Sequence, residues 1–259
     1  MMKMSFSKIN TFEQCPLKFQ YQYVNRYPTS KSPALLLGQT VHESLNLFFN
    51  YNRDRRTVKL LQKIFREEWK KERNKLRKSG ELEIDKKTEA EYGRRGLVML
   101  ENFYKSSMNA DPDQREEFAE AELKPPAGEG QESIPFLGRV DRFDKVVVNG
   151  TEGFRVVDYK TGKFNERYLD FIQLFSYAWL MSTQGFKVLS AAYYYLEPDR
   201  IVEKRVSEEV FVKTQKNLLE RSLPVYKALE TGEFAPTPSK LCPWCDFQKM
   251  CPAMEGKPD

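Results

Sequence analysis

Two short segments hold the side chains best suited to chemistry: Gly138-Arg139-Val140-Asp141-Arg142 and Val156-Val157-Asp158-Tyr159-Lys160-Thr161-Gly162. Asp158 and Lys160 are two apart, so in an extended strand both side chains leave the same face. Asp141 ends another β-branched run. Two aspartates on neighbouring strands can converge on a hard divalent cation, which prefers oxygen ligands. A lysine beside that cation can orient a water or stabilise the charge that develops on a phosphate. Taken singly, either acid is an ordinary charge at a strand end; together with the lysine they make a candidate hydrolytic site. Gln173 and Tyr177, at i and i+4, share a helix face and can touch substrate, steady Lys160 or simply pack at a sheet edge. Glu122 could add an outer carboxylate or stand in solvent.

The four cysteines form a second group. Cys242-Pro-Trp-Cys245 followed by Cys251 gives C-x2-C-x5-C, and Cys15 lies near the other end of the chain. In a cytosolic protein such cysteines are metal ligands or reactive thiols before they are disulfides. A four-cysteine set suits a [4Fe–4S] cluster or structural zinc, and ligand type alone favours zinc.

These groups must be positioned by a chain of 259 residues, long enough for one large domain or two modest ones. With 40% hydrophobic and 31% charged residues it can bury a core, and no apolar run approaches the roughly 18 residues of a spanning helix. The start lacks an apolar signal region, so a cytoplasmic location is expected. His42 is the sole histidine, which excludes a two-histidine zinc helix. No phosphate-binding G-x-x-x-x-G-K-[ST] loop or dinucleotide fingerprint is present. The net charge of +5 permits a polyanionic partner without demanding one. Residues 53–78 hold twelve Lys/Arg against four Asp/Glu, either a solvated helix face or a DNA-guiding surface.

Periodicity predicts helices over 7–24, with Pro16 as a kink or a later start, then over 35–51, 57–78 and 85–108. Strands are expected over 118–123, 134–140, 143–148 and 154–160, with Asn149-Gly150 as a hairpin turn. A helix over 165–181, a strand pair over 188–196 and 201–206, and a long helix over 207–230 follow. Residues 234–259 lack periodicity. Tyr21, Tyr23 and Tyr27 can stack unpaired bases, although core packing is the commoner fate.

In chain order these motifs resemble the PD-(D/E)XK nuclease superfamily and, within it, the RecB-type branch. Gly38-x-x-x-His42 matches the helix histidine, Gly138 to Arg142 the first acid, Asp158-Tyr159-Lys160 the second acid and lysine, and Gln173-x-x-x-Tyr177 the Gln/Tyr pair. Val140 stands where the superfamily's proline would be, a loss usual in this branch. The resemblance implies an α/β, restriction-endonuclease-like fold: a central mixed sheet flanked by helices in one nuclease domain over 1–259. Within it, 1–110 would be a helical lobe with His42, 111–232 the catalytic sheet and helices, and 233–259 a cysteine-rich tail. It implies that His42, Asp141, Asp158 and the Tyr159 backbone carbonyl hold Mg²⁺ or Mn²⁺, and that Lys160 serves catalysis with Gln173 and Tyr177.

Cys15-Pro16-x-x-Phe19 with Cys242, Cys245 and Cys251 is similar to the iron–sulfur staple of that branch, which implies a [4Fe–4S] cluster ahead of zinc. The implied activity is a metal-dependent DNA nuclease, an exonuclease or end-processing enzyme favouring single-stranded DNA or free ends. Such enzymes act in DNA repair, recombination or CRISPR adaptation, and a helicase or CRISPR integrase would be the protein partner; no membrane is involved. The rival expectations are a catalytically quiet DNA-binding or scaffold protein that keeps a metal staple, and a zinc-stapled hydrolase of another substrate. Intact Asp141, Asp158 and Lys160 favour the nuclease.

Overall fold

The structure, a computed structural model, describes residues 2–124 and 133–254, so the end of the expected tail, 255–259, lies outside it. The helices begin where short polar side chains can cap them. α3 (Pro33–Phe48), α4 (Val58–Lys78) and α5 (Lys86–Lys105) follow Ser32, Thr57 and Asp85, each of which accepts first-turn N–H groups. The expected 7–24 helix is broken. α1 (Phe6–Gln14) ends at Cys15, which is extended with φ −167°, and Pro16 opens α2 (Pro16–Phe19). At that first position a proline's missing N–H costs no bond, so Pro16 starts a helix rather than kinking one.

Strands β1 (Gln114–Leu123), β2 (Ile134–Val148), β3 (Thr151–Lys160), β4 (Val188–Tyr195) and β5 (Arg200–Arg205) form one sheet in that order. β2 and β3 are antiparallel, β3 and β4 parallel, β4 and β5 antiparallel. The parallel step needs a crossover, supplied by α6 (Ile172–Thr183). α7 (Glu208–Thr231) follows the sheet. Asn149 and Gly150 turn the β2–β3 hairpin at φ 51° and 74°, the left-handed pair that such a two-residue turn requires.

Two expected boundaries move. Residues 134–140 and 143–148 are one continuous β2, because Arg142 and Asp144 occupy core positions as a buried ion pair, with Arg142 Nε 2.7 Å from Asp144 Oδ1. Charges that neutralise each other in the interior read as an interruption in the sequence. The helix expected from 165 starts at Ile172, whose N–H is taken by Asp170 Oδ1 at 2.9 Å.

The chain divides into two compact units. One comprises Lys31–Ala119 and Arg139–Phe211, the other Met1–Ser30, Glu120–Gly138 and Val212–Asp259. In the first, the α4 stripe of Leu61, Ile64, Phe65, Trp69 and Leu76 is buried. It joins a core that includes Phe103, Tyr159 and Tyr194. Arg95 Nε and Nη2 grip Glu197 at 3.0 and 2.9 Å, and Asn102 Nδ2 donates to the carbonyls of Leu196 and Glu197, so α5 is tied to the β4–β5 turn. In the other unit, Arg221 of α7 makes a bidentate bond to Glu13 of α1, both contacts at 2.7 Å, over a core with Ile9, Phe19 and Leu218. No helix among the described residues is long and apolar enough to cross a membrane.

Phe103 is fully buried, with the rings of Phe49, Tyr159 and Tyr194 around it. Phe103→Ala is expected to lower the unfolding free energy by about 3–5 kcal/mol. Urea denaturation followed by circular dichroism measures this, and a loss below about 1 kcal/mol would contradict the packing.

Candidate active site

Four elements of one unit meet around Asp158. β3 presents Asp158 and Lys160 on one face, as their spacing predicts, and turns Tyr159 into the core. β2 supplies Asp141, α3 supplies His42, and α6 supplies Gln173 and Tyr177. Gly38, one turn before His42, lets α3 approach the strand end: a Cβ there would lie 3.2 Å from Thr161 Oγ1.

The β2–β3 backbone pairing runs from Val148↔Thr151 to Arg142↔Val157. Beyond it the Asp141 side chain replaces a ladder bond, with Oδ2 accepting the Tyr159 N–H at 3.0 Å. Asp141 Oδ1 lies 3.2 Å from His42 Nδ1, and His42 Nε2 faces the Tyr159 carbonyl at 3.0 Å. Tyr159 is itself fixed from behind. Its hydroxyl is hydrogen-bonded to buried Arg142, and burial pushes the phenol up to about 12. Arg142 also donates to the carbonyls of Met108 and Ala110.

The two acids are pushed in opposite directions. Burial raises the Asp158 carboxyl, helped by the nearby Asp141 charge and opposed by Lys160. Burial also acts on Asp141, but the His42 charge and hydrogen bond, the Tyr159 N–H and Lys160 outweigh it and hold that carboxyl below its usual range. Burial disfavours the His42 imidazolium, yet the Asp141 charge and bond, the Asp158 charge and the Tyr159 carbonyl raise its pKa overall.

Lys160 Nζ is held on three sides. Asp158 Oδ2 is 2.8 Å away, Gln173 Oε1 accepts at 3.2 Å, and the Tyr193 ring centroid lies 4.7 Å off. Gln173 Nε2 donates to the Tyr177 hydroxyl at 2.9 Å, so this pair steadies the lysine. As placed, no three His, Cys, Asp or Glu among the described residues close on a single ion. Lys160 and His42 stand against the acids instead. Asp158 Oδ2 is buried with the Lys160 ammonium as its charged partner, and the donor set of the site, two carboxylates, a backbone carbonyl and an imidazole, has the chemistry that fits a hard divalent cation.

Sequence reasoning missed the surroundings. A cavity of about 10 Å³, room for one water-sized body, lies between His42, Asp141 and Arg115. The Phe49 ring beside it has the guanidinium groups of Arg56, Arg115 and Arg142 at 5.2, 5.7 and 5.6 Å. Glu122 is exposed on the β1 segment of the other unit. On α4 the exposed lysines partly pair along the helix, as in Lys71–Glu68 and Lys75–Glu72, while Arg73 and Arg77 both reach Glu89.

All four cysteines belong to the other unit and line one cavity of about 50 Å³. Each is a free thiol. The Thr237 N–H points at Cys15 Sγ at 3.4 Å and the Ser239 N–H at Cys242 Sγ at 3.2 Å. Burial pushes the Cys245 thiol up. Tyr21 packs on Phe247 and its hydroxyl donates to the Met250 carbonyl at 3.3 Å, so it serves the tail's packing.

The model of the PD-(D/E)XK nuclease superfamily matches residues 3–252. The crystal structure of a "Putative exonuclease" from Eubacterium rectale superposes with a TM-score of 0.53 at 18% identity, covering 94% of this chain and 86% of that one. That of SSO0001 superposes at 0.40 with 16% identity, covering 97% and 86%. A comparison with curated proteins returned no match.

The site predicts its own effect on stability. The Asp158 pKa is raised in the fold, so above the unfolded pKa the ionised carboxylate disfavours folding, increasingly up to the folded pKa. Asp158→Asn should therefore raise the melting temperature by a few degrees at neutral pH in EDTA. Differential scanning calorimetry decides; a lower melting temperature would mean that the contact with Lys160 outweighs the burial.

Proposed function

The chain belongs to the PD-(D/E)XK nuclease superfamily, and from that we propose that it is a Mg²⁺- or Mn²⁺-dependent deoxyribonuclease acting at DNA ends, with single strands preferred. The observation that carries this reading is the clustering of two largely buried carboxylates, Asp141 and Asp158, with His42 3.2 Å from the first and Lys160 2.8 Å from the second. The name of the Eubacterium rectale protein is in keeping with exonuclease action.

His42, Asp141, Asp158 and the Tyr159 carbonyl would hold the cation, which when bound supplies positive charge to the scissile phosphate and acidifies a water. The chain's own groups do the positioning. Asp141 fixes the Tyr159 amide through its second oxygen, which holds the Tyr159 carbonyl beside His42 Nε2. Lys160, released from Asp158, keeps Gln173 and the Tyr193 ring as supports and brings its ammonium to the attacked phosphate. There it orients the entering water and offsets the charge that grows on the phosphate oxygens. Gln173 and Tyr177 limit how far the lysine can swing.

The four cysteines are proposed to hold a [4Fe–4S] cluster with a structural role. In support, the four cysteines line one cavity of about 50 Å³.

Asp158→Ala and Lys160→Ala are expected to reduce cleavage of end-labelled single-stranded DNA by at least about a thousandfold, with circular dichroism unchanged. EDTA should abolish wild-type cleavage and Mn²⁺ restore it. Near wild-type cutting by Asp158→Ala would remove the assignment. Protein purified without oxygen should be brown and hold iron and sulfide in equal amounts. Cys15→Ala should lose the colour and become sensitive to proteases after Phe234, whereas stoichiometric zinc without iron would replace the cluster with a zinc staple.

A further inference from the structure

We infer that the sheet face carrying Lys160 continues as a track for unpaired DNA, with bases stacking on Phe164, Phe171 and Tyr195 and phosphates meeting Arg200 and Lys204. The inference rests on the nuclease reading and names the surface that would select its substrate. Register places these groups together. Lys160 pairs with Tyr195 and Asp158 with Tyr193 across β3–β4; Tyr195 pairs with Arg200 and Ala191 with Lys204 across β4–β5. Directly opposed residues share a face, and so do residues two apart along a strand. The catalytic acid and lysine, the two tyrosines and the two cations therefore lie on one side, running from Lys160 to the edge strand β5.

The rings touch in sequence. Phe164 meets Tyr195 edge-on at 5.0 Å between centroids, Tyr195 lies 6.2 Å from Tyr193, and Tyr193 lies 5.3 Å from Phe171. Tyr193 is buried and forms the floor, while Phe164, Phe171 and Tyr195 keep part of their rings in solvent. Arg200 sits 3.9 Å over the Phe164 ring and Lys204 5.9 Å from that of Phe171, both exposed at the rim. Glu203 of the same strand alternates to the opposite face, where it meets Arg155 at 3.4 Å. The loop before α6 also carries Lys163 and Arg167 alongside Glu166 and Asp170, and the Asp170 carboxylate is engaged by the Ile172 N–H.

Half-exposed rings bordered by cations suit a polyanion whose bases are free to stack. Aromatic platforms bind single strands because every base has a π-face, and the neighbouring positive charges follow the backbone. A duplex hides those faces inside its own stack and could use only the cations. The chemistry thus selects a single strand, fed along β4 and β5 to Lys160.

The test is fluorescence anisotropy in EDTA with three probes of equal length: labelled oligothymidylate, an abasic oligomer with the same sugar–phosphate backbone, and a duplex. Phe164→Ala and Phe171→Ala should each weaken oligothymidylate binding roughly tenfold and leave the abasic oligomer unchanged. Arg200→Ala with Lys204→Ala should weaken both single strands and flatten their salt dependence. Phe164→Leu preserves apolar bulk, so a matching loss there assigns the effect to the aromatic ring even if the alanine variant folds poorly. Folded ring variants that bind oligothymidylate as the wild type does, or lose both single strands equally, overturn the track. In the first case, continued Mg²⁺-dependent cutting by the wild type shows that the nuclease reading stands without it. A wild type that neither binds nor cuts DNA ends both.

Discussion

Two carboxylates share one water-poor site, and much of the surrounding structure answers their mutual repulsion. Like charges this close cannot both ionise cheaply when solvent is excluded. Asp141 keeps its charge because His42, the Tyr159 amide and Lys160 favour it, whereas Asp158, with Lys160 beside it, is left with a raised pKa. Two largely buried acids that repel each other are a poor arrangement for stability alone. The proposed divalent cation would add the counter-charge under which the same groups bind together.

That constraint explains why the site is drawn from several elements. A strand alone can place Asp158 and Lys160 on one face, but it cannot supply the other cation or restrict the lysine. α3 brings His42 within reach because Gly38 allows the close approach to Thr161. α6 brings Gln173, which accepts from Lys160 and donates to Tyr177, so the lysine's position is set by a side chain that is itself fixed. Behind the strand, the buried Arg142–Asp144 pair and the Tyr159 hydroxyl hold the residue whose carbonyl faces His42. Tyr159 thus acts through its backbone on one side of the sheet and through its phenol on the other.

Much of this was legible in the sequence because it depends on local rules. Period-two spacing put Asp158 and Lys160 on one face, and i and i+4 put Gln173 beside Tyr177. Asn149-Gly150 fixed its turn for the same reason. What escaped depends on partners distant in the chain. β2 was read as two runs because Asp141 and Arg142, between them, look like surface charges until Ala110 and Tyr159 are seen to receive the arginine. The start of α6 was misplaced because a separate turn, Glu166–Tyr168, opened by the Asn165 side chain, precedes it. The row of rings leading from Lys160 had only a weak signal, the run Tyr193-Tyr194-Tyr195. Alternation sends Tyr194 to the core and leaves the other two beside the lysine.

The cysteine cavity obeys a different logic. It is built from the two ends of the chain: α1 and α2 come from the first thirty residues and the tail from the last segment, both within one unit. The tail holds itself with local turns, such as Cys245 N–H to the Cys242 carbonyl at 3.0 Å and Cys251 N–H to the Gln248 carbonyl at 3.1 Å. Phe247 is buried there, but Trp244 is 79% exposed and Leu241 59% exposed, so apolar burial contributes little to its docking. A segment of this kind loses about 1–2 kcal/mol of backbone entropy per ordered residue. A cross-link between Cys15 and the three tail sulfurs would offset part of that, because closing so long a loop restricts the unfolded chain by about 5 kcal/mol in loop-entropy models. Cys15 stands in extended backbone between α1 and Pro16, with the Thr237 N–H of the tail at its sulfur. The carboxylate site lies wholly in the other unit.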